Sequence, residues 1–161
     1  MSAKNTPAVR AATAAGIEFR LLEYEYDPAA EAIGLHAAEA LGVDPAKVFK
    51  TLIVAVDGGE FVSVALPSDA RLNMKALAAA AGGKRAEMAE APKAERSTGY
   101  VVGGISPLGQ RRRLRTFIDS SARSLDEIIV NGGRRGLQVG LRPADLAALS
   151  GASFHPLAMR E

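Results

Sequence analysis

The chain has 161 residues, of which 48% are hydrophobic and 24% are charged. This composition is typical of a soluble globular protein near the size of one domain, and it excludes disorder and collagen-like repeats. The chain contains no cysteine and no tryptophan, and its histidines are His36 and His155. Disulfides, thiolate metal sites and a cysteine nucleophile are therefore excluded, and we expect neither a metal nor a cofactor.

Basic residues are clustered, although the formal net charge is only +2 and the sequence pI is about 9.1. The clusters comprise Lys84-Arg85, Arg111-Arg112-Arg113 with Arg115, and Arg134-Arg135. Local clusters of this kind favour a polyanionic partner, although arginine runs in loops are equally typical of solvated surface.

No apolar stretch approaches the roughly 20 residues that a membrane span requires, and the N-terminus lacks a charged segment followed by an apolar core. We therefore expect a cytoplasmic protein without a membrane partner. Neither a linker nor an internal repeat is visible, so residues 1–161 are expected to form one domain.

The first predicted helix runs from Thr6 to Gly16, because a capping threonine, a proline at the first helical position and a final glycine mark its ends. Residues 18–24 alternate as a strand does, and the alanine-rich residues 29–41 predict a helix that Gly42 ends.

A hairpin follows, in which residues 50–56 and 60–66 flank the turn Asp57-Gly58-Gly59. Its first strand is apolar at nearly every position from Leu52 to Val56. Such a strand is buried on both faces, so we expect the hairpin to lie at the centre of a sheet.

The rest of the chain alternates short helices, strands and one glycine-rich loop. Helices are predicted at residues 73–81, 92–99 and 142–149, and strands at residues 86–88, 100–102, 115–119, 127–130 and 137–141. Residues 103–109, here named the glycine loop, hold three glycines and one proline, and this excludes regular structure. About seven strands and five short helices, with hairpins among them, predict an α+β fold.

Three stretches carry residues suited to chemistry. Lys50-Thr51 places a charge and a hydroxyl at the start of the most apolar strand. A lysine at such a position either donates hydrogen bonds to phosphate or carbonyl oxygens of a ligand or is simply solvated. The glycine loop lets backbone N–H groups approach a ligand, although an irregular turn has the same composition. Residues 131–136 form either a third ligand-binding segment or a hairpin turn with exposed arginines.

Standard catalytic sets are missing from the sequence. Ser97 and Ser106 lie in no nucleophile elbow, and His36 and His155 are too isolated to suggest a triad. Asp126-Glu127 are adjacent, so in a strand they point to opposite faces and make no acid–base pair.

Four motifs, in this order and separation, resemble the YbaK family of aminoacyl-tRNA deacylases. They are Lys50-Thr51, Arg96-Ser97-Thr98-Gly99-Tyr100, the glycine loop, and Gly132-Gly133-Arg134-Arg135-Gly136-Leu137. The resemblance covers essentially the whole chain and is greatest for the branch that acts on Cys-tRNA(Pro). It implies an α+β domain with a curved, mixed, mainly antiparallel sheet or barrel of about seven strands and short flanking helices.

The resemblance also implies an activity, hydrolysis of the ester in mischarged aminoacyl-tRNA, chiefly Cys-tRNA(Pro) and also Cys-tRNA(Cys). Members are proposed to use no protein nucleophile, because the thiol of the substrate cysteine attacks its own ester carbonyl. The expected partners are the 3′ acceptor end of the tRNA and a prolyl-tRNA synthetase, with no DNA partner.

By position the resemblance assigns roles to individual residues. Catalysis is expected at Lys50, Gly103 and Gly104; substrate binding at Tyr24, Ile33, Thr51, Ile105, Ser106, Asn131, Gly132 and Gln138; and tRNA binding at Arg112, Arg113, Arg134 and Arg135. The sequence departs from the family pattern at Asn131, where serine is expected, at Gln138, where some members have aspartate, and at Ile33, where some have an aromatic residue.

Two other functions remain open from the sequence. One is an Ala-tRNA(Pro) deacylase of the ProX type, which hydrolyses with water. The other is a non-catalytic module that binds tRNA or a synthetase, for which the departures at Asn131 and Gln138 leave room, although the intact Lys50 and glycine loop argue against it.

Overall fold

In the computed structural model, which describes residues 4–27 and 33–159, the chain has the α+β architecture that the sequence predicts. The helices are α1 (Pro7–Ala15), α2 (Ile33–Leu41), α3 (Met74–Ala80), α4 (Ala91–Thr98) and α5 (Pro143–Ser150). The strands are β1 (Phe19–Glu23), β2 (Phe49–Val56), β3 (Glu60–Pro67), β4 (Arg71–Leu72), β5 (Ala86–Met88), β6 (Arg115–Asp119), β7 (Ile128–Asn131), β8 (Leu137–Leu141), β9 (Ser153–His155) and β10 (Ala158–Met159). The start predicted for the second helix, at residues 29–32, lies outside the described residues.

Local capping explains where several helices begin and end. Thr6 precedes α1 and its hydroxyl accepts a hydrogen bond from the Val9 N–H, while Gly16 ends the helix with a left-handed φ of 70°. Asn73 caps α3 in the same way, through the N–H of Ala76. The predicted ends of these helices are therefore confirmed within one residue.

Among the described residues the strands form three open sheets. The largest has the order β5-β2-β3-β6-β9, in which β2 pairs antiparallel with β5 and β3, whereas β3–β6 and β6–β9 are parallel. A second sheet has the antiparallel order β1-β8-β7, and β4 pairs with β10. The expectation of a barrel is wrong, because the three-residue edge strands β5 and β9 end the large sheet without meeting.

The main core lies between the large sheet and the β1-β8-β7 sheet. It joins Phe49 and Ile53 of β2 to Val130 of β7 and Val139 of β8, all nearly fully buried. The other face of the large sheet packs against Leu77 of α3. The hairpin of β2 and β3 is central in this sheet, as its apolar pattern predicts.

A third, smaller cluster covers the outer face of the β1-β8-β7 sheet. There Ala37 and Ala38 of α2 pack against Val48 and Ile129, and Val48 and Ile129 also form an isolated parallel bridge. This bridge sets the start of β2 beside β7.

The strand predicted at residues 100–102 is wrong, because Tyr100, Val101 and Val102 leave α4 as an irregular segment. Tyr100 is 4% exposed, and its hydroxyl donates to the Leu108 carbonyl at 2.6 Å. The buried Tyr100 side chain therefore anchors the loop, while Val101 and Val102 are exposed. No described helix is both long and apolar enough to cross a lipid bilayer.

Candidate active site

A row of three side chains, two of them polar, lies on the outer face of the β1-β8-β7 sheet. Leu22 pairs with Gln138, and Gln138 pairs with Asn131, so the three side chains project from the same face. Gln138 is 4% exposed and Asn131 is 8% exposed, although both are polar. Buried amides in a row indicate a face built to hold polar partners.

Lys50 lies near the start of β2, in the neighbouring sheet. The isolated parallel bridge between Val48 and Ile129 sets this part of β2 beside β7, and Lys50 and Asn131 each follow the bridge by two residues. Within β2, Lys50 pairs with Leu66 and shares a face with Leu52, and that face packs against α3. Val48, two residues before Lys50, belongs to the cluster beneath α2.

The Lys50 ammonium is half-buried and forms no ion pair or hydrogen bond with any residue that the structure describes. Burial lowers the pKa of Lys50, and the charge of Asp69 partly offsets this change. A half-buried lysine whose lost hydration is only partly offset by a nearby carboxylate is typical of a binding or catalytic position rather than of a solvated strand end.

Tyr24 stands next to the row, two residues beyond Leu22. Its backbone N–H donates to the Gly136 carbonyl at 3.0 Å, and its ring meets the edge of the His36 ring at 5.5 Å. The hydroxyl is buried without a hydrogen-bond partner at normal distance among the described residues. Burial raises the pKa of Tyr24, and the nearby Gly136 backbone and Gln138 side chain partly offset this change. A ligand with a polar group would satisfy this hydroxyl.

Thr51 lies on the opposite face of β2 from Lys50, since adjacent residues of a strand alternate. Its hydroxyl is also buried and lacks a partner in the described part of the chain. The structure therefore separates the two residues of the Lys50-Thr51 motif. The side chain of Ile33, another predicted contact, is outside what the structure describes.

The glycine loop is held rigidly along its second half. The Ser106 hydroxyl accepts from the Leu108 N–H at 3.2 Å, and the Ser106 carbonyl accepts from the Gln110 amide at 3.0 Å. Ile105 is 8% exposed and packs into the main core. Ser106 and Ile105, both predicted to bind substrate, thus have structural contacts within the loop.

The turn between β7 and β8, residues 131–136, fastens the first half of the glycine loop. Asn131 Nδ2 donates to the Gly103 carbonyl at 3.0 Å. Arg135 donates twice to the Val102 carbonyl, from Nε at 3.0 Å and from Nη2 at 2.7 Å. Gly104 lies so close to this turn that an added Cβ would be 3.0 Å from the Arg134 Cα and the Arg135 nitrogen.

The backbone N–H groups of the loop differ in their availability. The Gly104 N–H donates to the Val101 carbonyl at 2.8 Å, which closes a turn. The N–H groups of Gly103 and Ile105 have no partner among the described residues. Two unpartnered donors around one glycine turn can bind an anionic oxygen.

The four arginines predicted to bind tRNA have different surroundings. Arg112 and Arg113 are exposed, and they follow the glycine loop. Arg134 forms an ion pair with Glu23 at 3.0 Å, whereas Arg135 bonds Val102 as described. Arg112 and Arg113 therefore keep the exposure that a phosphate contact needs. Arg135 is exposed as well but uses two N–H groups within the protein, whereas Arg134 is half-buried.

Three contacts of the site were missed from the sequence. The Thr6 hydroxyl donates to the Gly132 carbonyl, while the Gly132 N–H donates to Leu137, so the helix cap also holds the turn. The Arg135 guanidinium lies over the Tyr26 ring, 5.2 Å from the ring centre.

The geometry suits transfer of an acyl group. A half-buried cation lies two residues after the bridge that joins β2 to β7, and two N–H donors without a partner among the described residues lie on the loop that Asn131 contacts. Such donors stabilise an oxyanion, and a lysine binds phosphate or ester oxygen.

Known proteins with similar sequences and folds fit this geometry. A family model described as the aminoacyl-tRNA editing domain matches residues 27–149. EbsC of Enterococcus faecalis, which carries the name of a Cys-tRNA(Pro)/Cys-tRNA(Cys) deacylase, is 32% identical over 86% of this chain and 85% of its own. The Ser/Thr-tRNA deacylase ProXp-y of Escherichia coli K12 is 30% identical over 81% of this chain and 78% of its own.

A solved structure shares the whole fold. A crystal structure described as a trans-editing enzyme for prolyl tRNA synthetase superimposes with a TM-score of 0.84 at 22% identity, and it covers 99% of both chains. Because the family model spans most of the chain and EbsC aligns over 86% of it, the chain belongs to the aminoacyl-tRNA editing domain family.

Proposed function

We propose that the protein removes wrongly attached amino acids from tRNA, chiefly cysteine from Cys-tRNA(Pro), with Cys-tRNA(Cys) as a further substrate. The observation that carries this proposal is Lys50, a half-buried cation without an ion-pair partner among the described residues, near the bridge that sets the start of β2 beside β7. Asn131, at the end of β7, bonds the glycine loop. Family membership supports the reaction class, deacylation of an aminoacyl-tRNA.

The nucleophile in this proposal belongs to the substrate. The thiol sulfur of the esterified cysteine attacks its own carbonyl carbon, a sulfur–carbon bond forms, and the ester carbon–oxygen bond breaks. The thiol proton goes through solvent to the departing ribose oxygen, so the products are a cyclic thiolactone and free tRNA. The attack is intramolecular, which supplies much of the proximity that an enzyme must otherwise provide.

The protein contributes binding and electrostatic stabilisation. The Gly103 and Ile105 N–H groups donate to the carbonyl oxygen as it gains negative charge, and removing one such donor typically costs about 100-fold or more in rate. Lys50 holds the terminal phosphate or the ribose of the 3′-adenosine and orients the ester. Tyr24, with its unsatisfied hydroxyl, and Gln138 contact the aminoacyl group.

The tRNA body is bound by charge rather than by sequence. Arg112 and Arg113 are exposed and can contact phosphates of the acceptor stem, which add affinity but little discrimination between tRNAs. The identity of the tRNA is then supplied by a prolyl-tRNA synthetase that binds at the same time. A cytoplasmic location, where tRNA is charged, belongs to the same proposal.

A second candidate is hydrolysis of Ser-tRNA or Thr-tRNA by water. It is favoured by one observation, the 30% identity to ProXp-y, which is close to the 32% identity to EbsC. The same N–H donors would stabilise the oxyanion, but a water molecule would have to replace the thiol.

The test is deacylation of a panel, Cys-tRNA(Pro), Ala-tRNA(Pro), Ser-tRNA and Thr-tRNA, by the native protein and by Lys50→Ala. We expect cleavage of the cysteinyl ester alone, with loss of most activity in Lys50→Ala. Cleavage of Ala-tRNA(Pro) with survival of Cys-tRNA(Pro) would refute the thiol mechanism in favour of a ProX-type enzyme. Cleavage of none of the four esters would indicate a non-catalytic module.

A further inference from the structure

We propose that Arg135 is a positioning residue, which orients the Gly103 N–H toward the substrate, and that it does not bind tRNA phosphate. This inference rests on the proposed function, because it assigns the Gly103 N–H to the ester oxygen. Asn131 assists by fixing the next peptide group, and it acts through the loop rather than on the substrate.

The argument begins with the planarity of the peptide bond. The Val102 carbonyl and the Gly103 N–H belong to one rigid, trans peptide unit, so they point in opposite directions. Arg135 holds that carbonyl with two hydrogen bonds, at 3.0 and 2.7 Å. The direction of the Gly103 N–H is therefore set by Arg135.

The following peptide unit is fixed at both of its ends. Asn131 donates to the Gly103 carbonyl at 3.0 Å, and the Gly104 N–H donates to Val101 at 2.8 Å. Gly103 has a φ of 90°, a conformation that glycine adopts without strain. A glycine is otherwise free to rotate, so external hydrogen bonds are needed to hold its N–H in one direction.

Arg135 is itself immobilised. Its guanidinium lies over the Tyr26 ring at 5.2 Å, while its Nε and Nη2 both face Val102. The planar fork of arginine suits this double contact, whereas a lysine ammonium is a single point donor. Two of its five N–H donors are used on the Val102 carbonyl, and moving those two to a phosphate would release the loop.

The experiment measures kcat, KM and the salt dependence of KM for Arg135→Lys and Arg135→Gln on Cys-tRNA(Pro). A positioning role predicts that kcat falls about 10-fold in the lysine variant and about 100-fold in the glutamine variant, with KM within twofold of native. A phosphate contact predicts native kcat in both, a raised KM in Arg135→Gln and a salt slope reduced by about one. The second pattern would overturn the inference.

Arg123 provides a matched control, since its guanidinium also lies over an aromatic ring, Phe154, at 5.4 Å, and the site does not use it. Arg123→Lys and Arg123→Gln are expected to leave kcat and KM unchanged. Asn131→Asp tests the second contact, because it keeps the acceptor for the Gly133 N–H at 2.7 Å but replaces the donor to Gly103. Its kcat should fall without a change in KM.

Amide hydrogen exchange separates this inference from the proposed function. Exchange at Gly104, whose N–H donates to the Val101 carbonyl, is expected to quicken in Arg135→Gln and in Asn131→Asp while the melting temperature stays near native. If the native protein cleaves no aminoacyl-tRNA, the proposed function fails, yet the exchange result still decides whether Arg135 holds the loop. Unchanged exchange in both variants would contradict the positioning role.

Discussion

Asn131 donates a hydrogen bond from Nδ2 to the carbonyl of Gly103, 3.0 Å away and 28 residues earlier in the chain. The bond joins the turn between β7 and β8 to the glycine loop. The Asn131 Oδ1 accepts from Gly133 at the same time, so one amide side chain uses its donor and its acceptor to fix two backbone segments. Asn131 thus acts on the site through the two backbone segments that it holds.

Lys50→Ala should reduce deacylation of Cys-tRNA(Pro) by about 100-fold or more, since the cation that orients the ester is removed. Stability should not fall, because a half-buried ammonium without a partner in the described structure costs free energy in the folded state. Lys50→Met, which keeps the length of the side chain, is expected to raise Tm by about 1–3 °C. Activity is measured by tRNA deacylation and Tm by calorimetry.

Lys75 is the control for this prediction, because it is exposed on α3 and lies outside the site. Lys75→Ala should retain native activity and native Tm. Native activity in Lys50→Ala, or a large loss of Tm in Lys50→Met, would remove the role given to Lys50.

The pH dependence of deacylation should have a limb on each side of its maximum. On the acid side the rate rises with pH, because the thiolate of the substrate cysteine attacks and the ordinary pKa of a cysteine thiol is about 8.5. Burial lowers the pKa of Lys50, so the ammonium loses its proton below the ordinary lysine value of about 10.4, and the rate falls there. In Lys50→Arg the alkaline fall should vanish, since the guanidinium stays charged.

The measurement is kcat/KM against pH, corrected for spontaneous ester hydrolysis. An alkaline limb that stays in place in an active Lys50→Arg protein would show that another group titrates.

Gly104→Ala should disrupt the loop, because the added methyl would lie 3.0 Å from backbone atoms of Arg134 and Arg135, which cannot move aside as a flexible side chain does. We expect kcat to fall at least 10-fold, since the loop that carries the N–H donors must shift. Gly59→Ala, where a Cβ would meet nothing within 4 Å, serves as the control. Equal kcat values for the two variants would argue against tight packing at Gly104.

Asp119 should be required for stability rather than for activity. Burial alone would raise the pKa of Asp119, but hydrogen bonds from Ser121, Leu157 and Ala158 outweigh it and lower that pKa. The stabilisation is present above the ordinary carboxyl pKa and is lost as pH falls through the lower folded value. Asp119→Ala should lower the free energy of unfolding by about 2–3 kcal/mol, because it leaves backbone donors unpaired.

Urea unfolding of Asp119→Ala beside Asp126→Ala, an exposed carboxylate in the same region, checks this expectation. Equal stability of the two variants would contradict it, and so would a large loss of kcat in Asp119→Ala at a temperature where the protein is folded.

Local structure was predictable wherever neighbouring residues decide it. Thr6 and Gly16 mark the ends of α1, and Asp57-Gly58-Gly59 places the turn between β2 and β3. The segment from Tyr100 to Val102 has the side chains of a strand, but the buried hydroxyl bond of Tyr100 to Leu108 determines its path. Propensity gave the wrong answer there because a tertiary contact outweighs it.

The sequence motifs predicted which segments form the candidate site, but they predicted less well how these segments contact one another. Lys50, Asn131 and the glycine loop were named from their motifs, yet nothing local indicates that Arg135 bonds a carbonyl 33 residues earlier. Such contacts depend on how β7, β8 and the loop after α4 pack together. Residues expected on the substrate, such as Asn131 and Ser106, instead show bonds to the loop backbone.

The central claim is that the substrate's own thiol breaks the ester, and the most direct measurement compares deacylation of Cys-tRNA(Pro) and Ser-tRNA(Pro) by the native protein under single-turnover conditions. Serine is nearly isosteric with cysteine but has a hydroxyl in place of the thiol, so binding is matched while the nucleophile differs. The account predicts rapid release of cysteine from its ester, trapped as the thiolactone, and negligible release of serine. Equal rates for the two esters would contradict it.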